Sequence, residues 1–220
     1  MTKNPLREAW TAIIRAEDYE THMAAVGQAQ ANAQLVADYF RARPPSPDAA
    51  VLFVGAGTGQ MFDFVSPAFL LPYRTTFADI NAGYLQRLSA RLAAVEGLRC
   101  TTVVDDVEKS RLAPGFDAVV AVLVLEHVDW RKAVATMSRL AAERVFVITQ
   151  ENPPALATPM TESRTIPGTM NIFKEVHSQL IAASEIEAEF ERHGFARDYA
   201  AEKIVADEKK MTGFGFRRVR

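Results

Sequence analysis

The chain has 220 residues, with 25 Lys and Arg against 27 Asp and Glu, a formal charge of −2, and 49% hydrophobic residues. That length suits one domain with a sizeable core. The near-neutral balance lacks the basic footprint of a nucleic-acid partner, and the basic tail (Lys209, Lys210 and the closing RRVR) reads as a solvated strand face. The one cysteine, Cys100 in LRCTTVV, excludes an intrachain disulfide, fits a reducing compartment and reads as a buried small hydrophobe. No run of ~18 apolar residues occurs, and MTKNPLREAW lacks a long apolar leader segment, so a cytoplasmic protein without a membrane partner is expected.

Residues 6–42 carry helical periodicity: Leu6, Trp10, Ile13 and Ile14 share one face, Leu35, Val36, Tyr39 and Phe40 another, with Gly27 as a candidate break. RPPSP at 43–47 stops the helix, so residues 1–47 read as a helical lid and 48–220 as the main domain. There, AAVLFVG predicts a first buried strand and Thr58–Val65 a short helix; RTTFAD, 74–79, is the second strand. Asn81 caps a helix with Leu85, Leu88, Leu92 and Val95 on one side. RCTTVVDD (99–106) and FDAVVAVLVL (116–125) are strands three and four, the latter apolar throughout and so covered on both faces. A helix over 130–142 and the strand RVFVITQ, 144–150, complete a βαβα order that requires a parallel, doubly wound sheet.

The ending differs. Residues 151–180 form an irregular, proline-punctuated insertion with Pro153, Pro154, Pro159 and Pro167, and a helix over 184–193 leads to FARDYAAEKIV and GFGFRRV. ADEKK is too short for a parallel crossover, so these runs pair as an antiparallel hairpin at the sheet edge.

VLFVGAGTGQ, 51–60, places Gly55, Gly57 and Gly59 directly after the first strand. Glycine there permits a close approach to the main chain. The spacing is G-x-G-x-G, not the G-x-G-x-x-G of a dinucleotide fingerprint, and Asp79 lies about 20 residues on, where a carboxylate can accept both ribose hydroxyls. Glycine spacing alone separates nicotinamide and adenosyl cofactors poorly; the terminal hairpin separates them better.

With VLFVGAGTG (51–59), FADIN (77–81), VVDDVE (103–108) and FDAVVAVLVLEHV (116–128) in this order, the chain resembles the class I S-adenosylmethionine-dependent methyltransferases over about residues 48–220. The resemblance implies a seven-stranded Rossmann-like α/β sheet whose last strand lies antiparallel between the fifth and sixth. It implies S-adenosylmethionine as cofactor, held by Gly55, Ala56, Gly57 and Gly59, by Asp79 and Ile80 at the ribose, and by Leu123 after strand four. Asp106 would accept from the adenine amino group and the Val107 amide would serve the ring, with Asp105 the competing residue. Tyr19, His22 and Met23 resemble lid residues that cover the sulfonium, although an amphipathic helix with a core tyrosine explains them as well. His127 is a candidate general base or a structural residue. ENPP (151–154) looks like an amino-binding Asn-Pro-Pro motif, but it follows strand five rather than strand four and reads as a stiff loop entry.

The acceptor should be chosen outside the carboxyl ends of the strands, by the N-terminal helices and residues 151–180, with Met160, Met170, Phe173 and His177 as lining and His177 as a second catalytic candidate. Their apolar and hydroxyl-bearing surroundings suit a small organic molecule. No His, Cys and Asp cluster has metal-site spacing. A nicotinamide-dependent oxidoreductase and a non-catalytic cofactor-binding protein are the alternative readings.

Overall fold

A computed structural model describes residues 5–153 and 168–219. Pro154, Pro159, Met160 and Pro167, and most of the first half of the expected insertion, lie outside the described residues.

Seven strands form one sheet in the order β3-β2-β1-β4-β5-β7-β6. They are β1 (Ala50–Val54), β2 (Arg74–Asp79), β3 (Arg99–Val104), β4 (Phe116–Val122), β5 (Ala141–Glu151), β6 (Phe195–Ile204) and β7 (Lys210–Arg218). The first five are parallel; β7 runs antiparallel to both β5 and β6. This is the doubly wound α/β sheet with an inserted antiparallel last strand that the sequence implied, and β6 is its edge.

Alternation along the strands builds two cores, one on each face. Val51, Phe53, Ala118, Val120, Phe146 and Ile148 face one way, against α3 (Gln28–Ala42) and α4 (Ala82–Leu92). Leu52, Val54, Val119, Ala121, Val145 and Val147 face the other way, against α5 (Trp130–Leu140) and α6 (Ala183–Arg192). α4 presents Leu85, Leu88 and Leu92 as its periodicity predicts, and Asn81 Oδ1 caps it by accepting from the Gly83 and Tyr84 amides at 2.9 and 3.2 Å.

The N-terminal segment departs from a lid ending at residue 47. α3 is part of the sheet core, with Leu35, Val36 and Tyr39 fully buried. What lies over the strand ends is α1 (Pro5–Glu8), the turn Ala9–Ile13 and α2 (Ala16–Ala25). Left-handed Gly27, φ 77°, separates α2 from α3. A second break, missed in the sequence, falls at Ile14–Arg15, where the backbone is extended and the Tyr84 hydroxyl donates to the Ile14 carbonyl at 2.9 Å. Two further elements are shorter than expected. The helix over 58–65 is only a single 3₁₀ stretch, Gln60–Asp63, because Gly59 is left-handed (φ 72°). β4 ends at Val122 because Leu123 turns to φ 53°.

Candidate active site

The parallel strands deliver their C-terminal ends to one edge, and that edge carries the motif residues. Register pairs Val54 with Ala78 and Ala121, and Asp79 with Val104, so Gly55, Ile80, Asp105 and Leu123 emerge side by side. The Ala56 amide donates to the Ala78 carbonyl at 3.0 Å and the Asp105 amide to the Asp79 carbonyl at 3.0 Å, tying the loops together. Leu123 is a bulky residue in the left-handed region, uncommon enough to mark stored backbone strain at a site.

Three neighbouring clefts lie there, sharing lining residues. The largest, about 840 Å³ including space open to solvent, is lined by Gly55, Gly57, Asp79, Ile80, Asp105, Asp106, Val107, Leu123 and His127, with Arg7, Trp10, Tyr19 and Tyr84 closing it from above. A second, of about 510 Å³, runs along the glycine loop past Ala56, Gly59, Asn32 and Met23. The third, about 480 Å³, is a chamber walled by Trp10, Tyr19, His22, Met23, Met170 and Phe173, with Glu126, His127, Gln28 and Gln150 among them. Tyr19 borders all three.

The glycines divide their work. All three have positive φ, 59°, 60° and 72° for Gly55, Gly57 and Gly59. A Cβ on Gly55 would meet Val124 at 2.5 Å and one on Gly59 would meet Leu88 at 2.9 Å, so these two admit packing partners. A Cβ on Gly57 would meet nothing within 4 Å and would stand in the open cleft. Gly55 and Gly59 thus line the clefts with their backbone while their Cβ positions face protein, and Gly57 is the one whose Cβ position is open.

Asp79 is also more deeply embedded than a ribose-binding carboxylate was expected to be, at 7% exposure. Its Oδ2 accepts from the Gly57 amide and its Oδ1 from the Asn81 amide, both at 2.8 Å. Burial raises its pKa, and the Asn81, Gly57 and Ile80 amides oppose that rise. Each oxygen keeps a further lone pair for a ligand hydroxyl.

Both Asp105 and Asp106 line the main cleft. Asp105 Oδ1 accepts from the Arg111 amide at 3.3 Å. Asp106 Oδ1 caps the turn Val107–Lys109 through the Glu108 amide at 3.0 Å, and its Oδ2 faces the Arg7 guanidinium.

Aromatic rings close the roof. Trp10 lies edge-on to Tyr19 (centroids 5.6 Å) and to His127 (4.9 Å) and is 5.6 Å from Phe173. Two anchors fix α2. Asp18 Oδ2 accepts from the Thr169 amide and hydroxyl at 2.8 and 2.6 Å, and these bonds hold its pKa down to about 2. On the other side Glu20 pairs with Arg87 and Arg91 at 2.8 and 3.1 Å. Trp10, Tyr84 and Arg7 were not singled out as site residues; a tryptophan on an amphipathic face looks like any core residue until the roof is assembled.

His127 Nδ1 and Ser178 Oγ are 3.0 Å apart, and burial pushes the imidazole down to about 4, so it is neutral at pH 7. A base so weak is far from the optimum for proton abstraction near neutrality. His177 is exposed and lines none of the three clefts. In the irregular stretch that follows Val176, Ser178 is buried and His177 is exposed. Its assignment as a catalytic candidate is therefore corrected, whereas Met170 and Phe173 are buried in the chamber wall.

Glu126 is 3% exposed, and burial pushes its carboxyl up to about 7. A raised carboxyl pKa gives stability that is complete below the unfolded value near 4.5 and is lost as pH rises through about 7. The penalty at pH 8 reaches ~3 kcal/mol at most. Glu126→Gln should therefore gain several degrees in Tm relative to the parent on going from pH 5 to pH 8, at roughly 2–4 °C per kcal/mol. Differential scanning fluorimetry at the two pH values checks this; a Tm difference that is the same at both would show that Glu126 does not carry the penalty. His127, shifted the other way, contributes to both proteins alike.

Residues 52–146 match the family model of a methyltransferase domain. That match spans a little under half of the chain. It agrees with the adenosyl reading of the glycine loop rather than with the nicotinamide one. No curated protein matches the sequence. Among solved structures, it is similar to magnesium protoporphyrin IX methyltransferase from Synechocystis PCC 6803 with bound S-adenosylhomocysteine, at TM-score 0.66 and 15% identity, covering 88% of this chain and 84% of that one. It is also similar to geranyl diphosphate C-methyltransferase from Streptomyces coelicolor A3(2), at 0.63 and 13%, covering 85% and 75%. An N-methyltransferase from Bradyrhizobium japonicum WM9 gives 0.58 and 16%, covering 86% of each chain. At these identities the likeness is one of fold. Among the described residues, no helix is long and apolar enough to cross a membrane.

Proposed function

We propose that the protein is an S-adenosylmethionine-dependent methyltransferase acting on a small organic molecule. The observation that carries this is the meeting of three clefts at Tyr19. The main cleft has the donors and acceptors for an adenosine: Asp79 for the ribose hydroxyls, Asp106 for the adenine amino group, and the Val107 amide for the ring, with Asp105 beside them. The second cleft fits a methionyl group. It is floored by Gly55 and Gly59, and it holds Asn32 Oδ1, a buried acceptor with no partner among the described residues. The third is the acceptor chamber. Bound cofactor would supply an electrophilic methyl group on a positively charged sulfur.

The chain's own contribution is position and dryness. Trp10, Tyr19 and Phe173 exclude water where the clefts meet, and most of the rate of a displacement can come from such alignment. Burial, with the Asp79 and Glu20 charges nearby, raises the Tyr19 phenol, so it remains a neutral donor at this junction. Neutral His127 orients from the opposite wall through its bond with Ser178.

Residues 7–30 and 168–178 act together as the lid in this reading, with Asp18 to Thr169 as the clasp. Asp18→Ala should raise amide hydrogen exchange in both 16–25 and 168–174 while leaving β1 and β4 protected. Unchanged exchange in those two segments would show that the clasp holds nothing. A cytoplasmic site of action and the absence of a nucleic-acid partner belong to the same proposal, supported by the charge balance. The function is tested by turnover of S-adenosylmethionine to S-adenosylhomocysteine against a panel of small amines, alcohols, phenols and carbon acids. Turnover with none of them would favour the non-catalytic alternative.

A further inference from the structure

Glu126 is a carboxylate set inside a box of aromatic rings. Its Oε1 accepts from the Gln150 amide at 2.8 Å. Its Oε2 is buried and has no hydrogen-bond partner among the described residues. The chamber it lines is walled by Trp10, Tyr19, His127 and Phe173, and no Lys or Arg is among its described lining residues. A buried carboxylate oxygen without a donor is expensive to keep. Of the other polar residues in the wall, Gln28 Nε2 donates to Gln150 Oε1 at 2.6 Å, Gln150 Nε2 to Asn152 Oδ1 at 2.6 Å, His127 Nδ1 pairs with Ser178 Oγ, and His22 is buried beside them. Among the described lining residues no Lys or Arg answers the negative charge, and the faces of Trp, Tyr and Phe attract cations.

We infer that the methyl acceptor is an amine, which enters the chamber as an ammonium and donates to Glu126 Oε2. This rests on the methyltransferase reading and deepens it. A carboxylate or phosphate acceptor would meet like charge in a low-dielectric chamber. A neutral alcohol could satisfy the oxygen but would leave the charge and the aromatic faces without a partner. Glu126 also solves the protonation problem of such a substrate, because an ammonium has no lone pair to attack with. The carboxylate takes one proton from the nitrogen. The freed nitrogen pair then forms the N–C bond to the methyl carbon as the C–S bond breaks, and sulfur keeps that bond's electrons. The product is a methylated ammonium, a neutral thioether and a protonated Glu126, which returns its proton to water on release. The burial that lifts the Glu126 carboxyl toward neutrality suits it to this exchange.

The experiment uses the full chain and the matched pair 2-phenylethylamine and 2-phenylethanol, titrated by calorimetry into protein saturated with S-adenosylhomocysteine, followed by methylation assays with S-adenosylmethionine. The amine should bind at least about tenfold more tightly than the alcohol and be N-methylated. Glu126→Gln should lose at least about tenfold in amine affinity, with alcohol binding changed less than about twofold. Equal or tighter binding of the alcohol, or no binding of the amine, overturns the inference. The wild-type comparison stands without the variant, should the variant fail to fold. Titrating S-adenosylhomocysteine first separates the two levels. Failure to bind it sinks the cofactor reading, whereas binding without amine preference sinks only the amine assignment.

Discussion

Gly57→Val should remove detectable S-adenosylhomocysteine binding, a loss of at least ~100-fold, or about 2.7 kcal/mol. The added side chain projects into open cleft, where nothing stands within 4 Å of its Cβ. It would occupy the space between Asp79 and the glycine loop rather than displace protein atoms. A second effect accompanies it, because a β-branched residue at φ 60° is strained by roughly 1–3 kcal/mol. Gly194 supplies the control. It has φ 78°, its Cβ would likewise meet nothing, and it lies at the far end of the sheet before β6. Gly194→Val should lose comparable stability and keep its affinity. If Gly57→Val binds as the parent does, the cleft is not where the cofactor lies.

Asp79→Ala should damage binding and folding together. The alanine leaves the Gly57 and Asn81 amides without their acceptor in a buried place, at about 1–3 kcal/mol for each unsatisfied group. It also slackens the glycine loop against the end of β2. Affinity for S-adenosylhomocysteine in the folded fraction should fall by roughly tenfold to a hundredfold, as expected for one charge-assisted pair. Loss of a carboxylate standing free in the cleft would spare the fold; at 7% exposure Asp79 is not one. Thermal unfolding and calorimetry on the same preparation distinguish the outcomes. An unchanged Tm would mean that the two amides find other acceptors, and an unchanged affinity would mean that Asp79 serves structure alone.

What the sequence revealed follows from the kind of information each residue carries. Strand periodicity and the brevity of ADEKK were enough to read a parallel sheet ending in an antiparallel hairpin, because both are local constraints, whereas the place of the last strand between the fifth and sixth came from the family resemblance. Gly57 and Asp79 were legible for the same reason: a turn after a buried strand and an acid at the end of the next one are fixed by chain order. The roof was not. Trp10, Tyr84 and Arg7 come together across 70 to 100 residues of sequence, and each reads individually as an amphipathic or solvated position. His177 is misplaced from sequence because an irregular stretch without apolar periodicity gives no sign of which neighbour is buried. Ser178 is, and it pairs with His127. The unpartnered oxygen of Glu126 could not be read at all, since satisfaction of a buried acceptor depends on Gln150, 24 residues away.

Isothermal titration of the wild-type protein with S-adenosylhomocysteine and, separately, with NAD tests the central claim most directly. The account predicts saturable 1:1 binding of S-adenosylhomocysteine at roughly micromolar affinity, about −8 kcal/mol, with no heat from NAD beyond dilution. Binding of NAD, with none of S-adenosylhomocysteine at millimolar concentration, would contradict it.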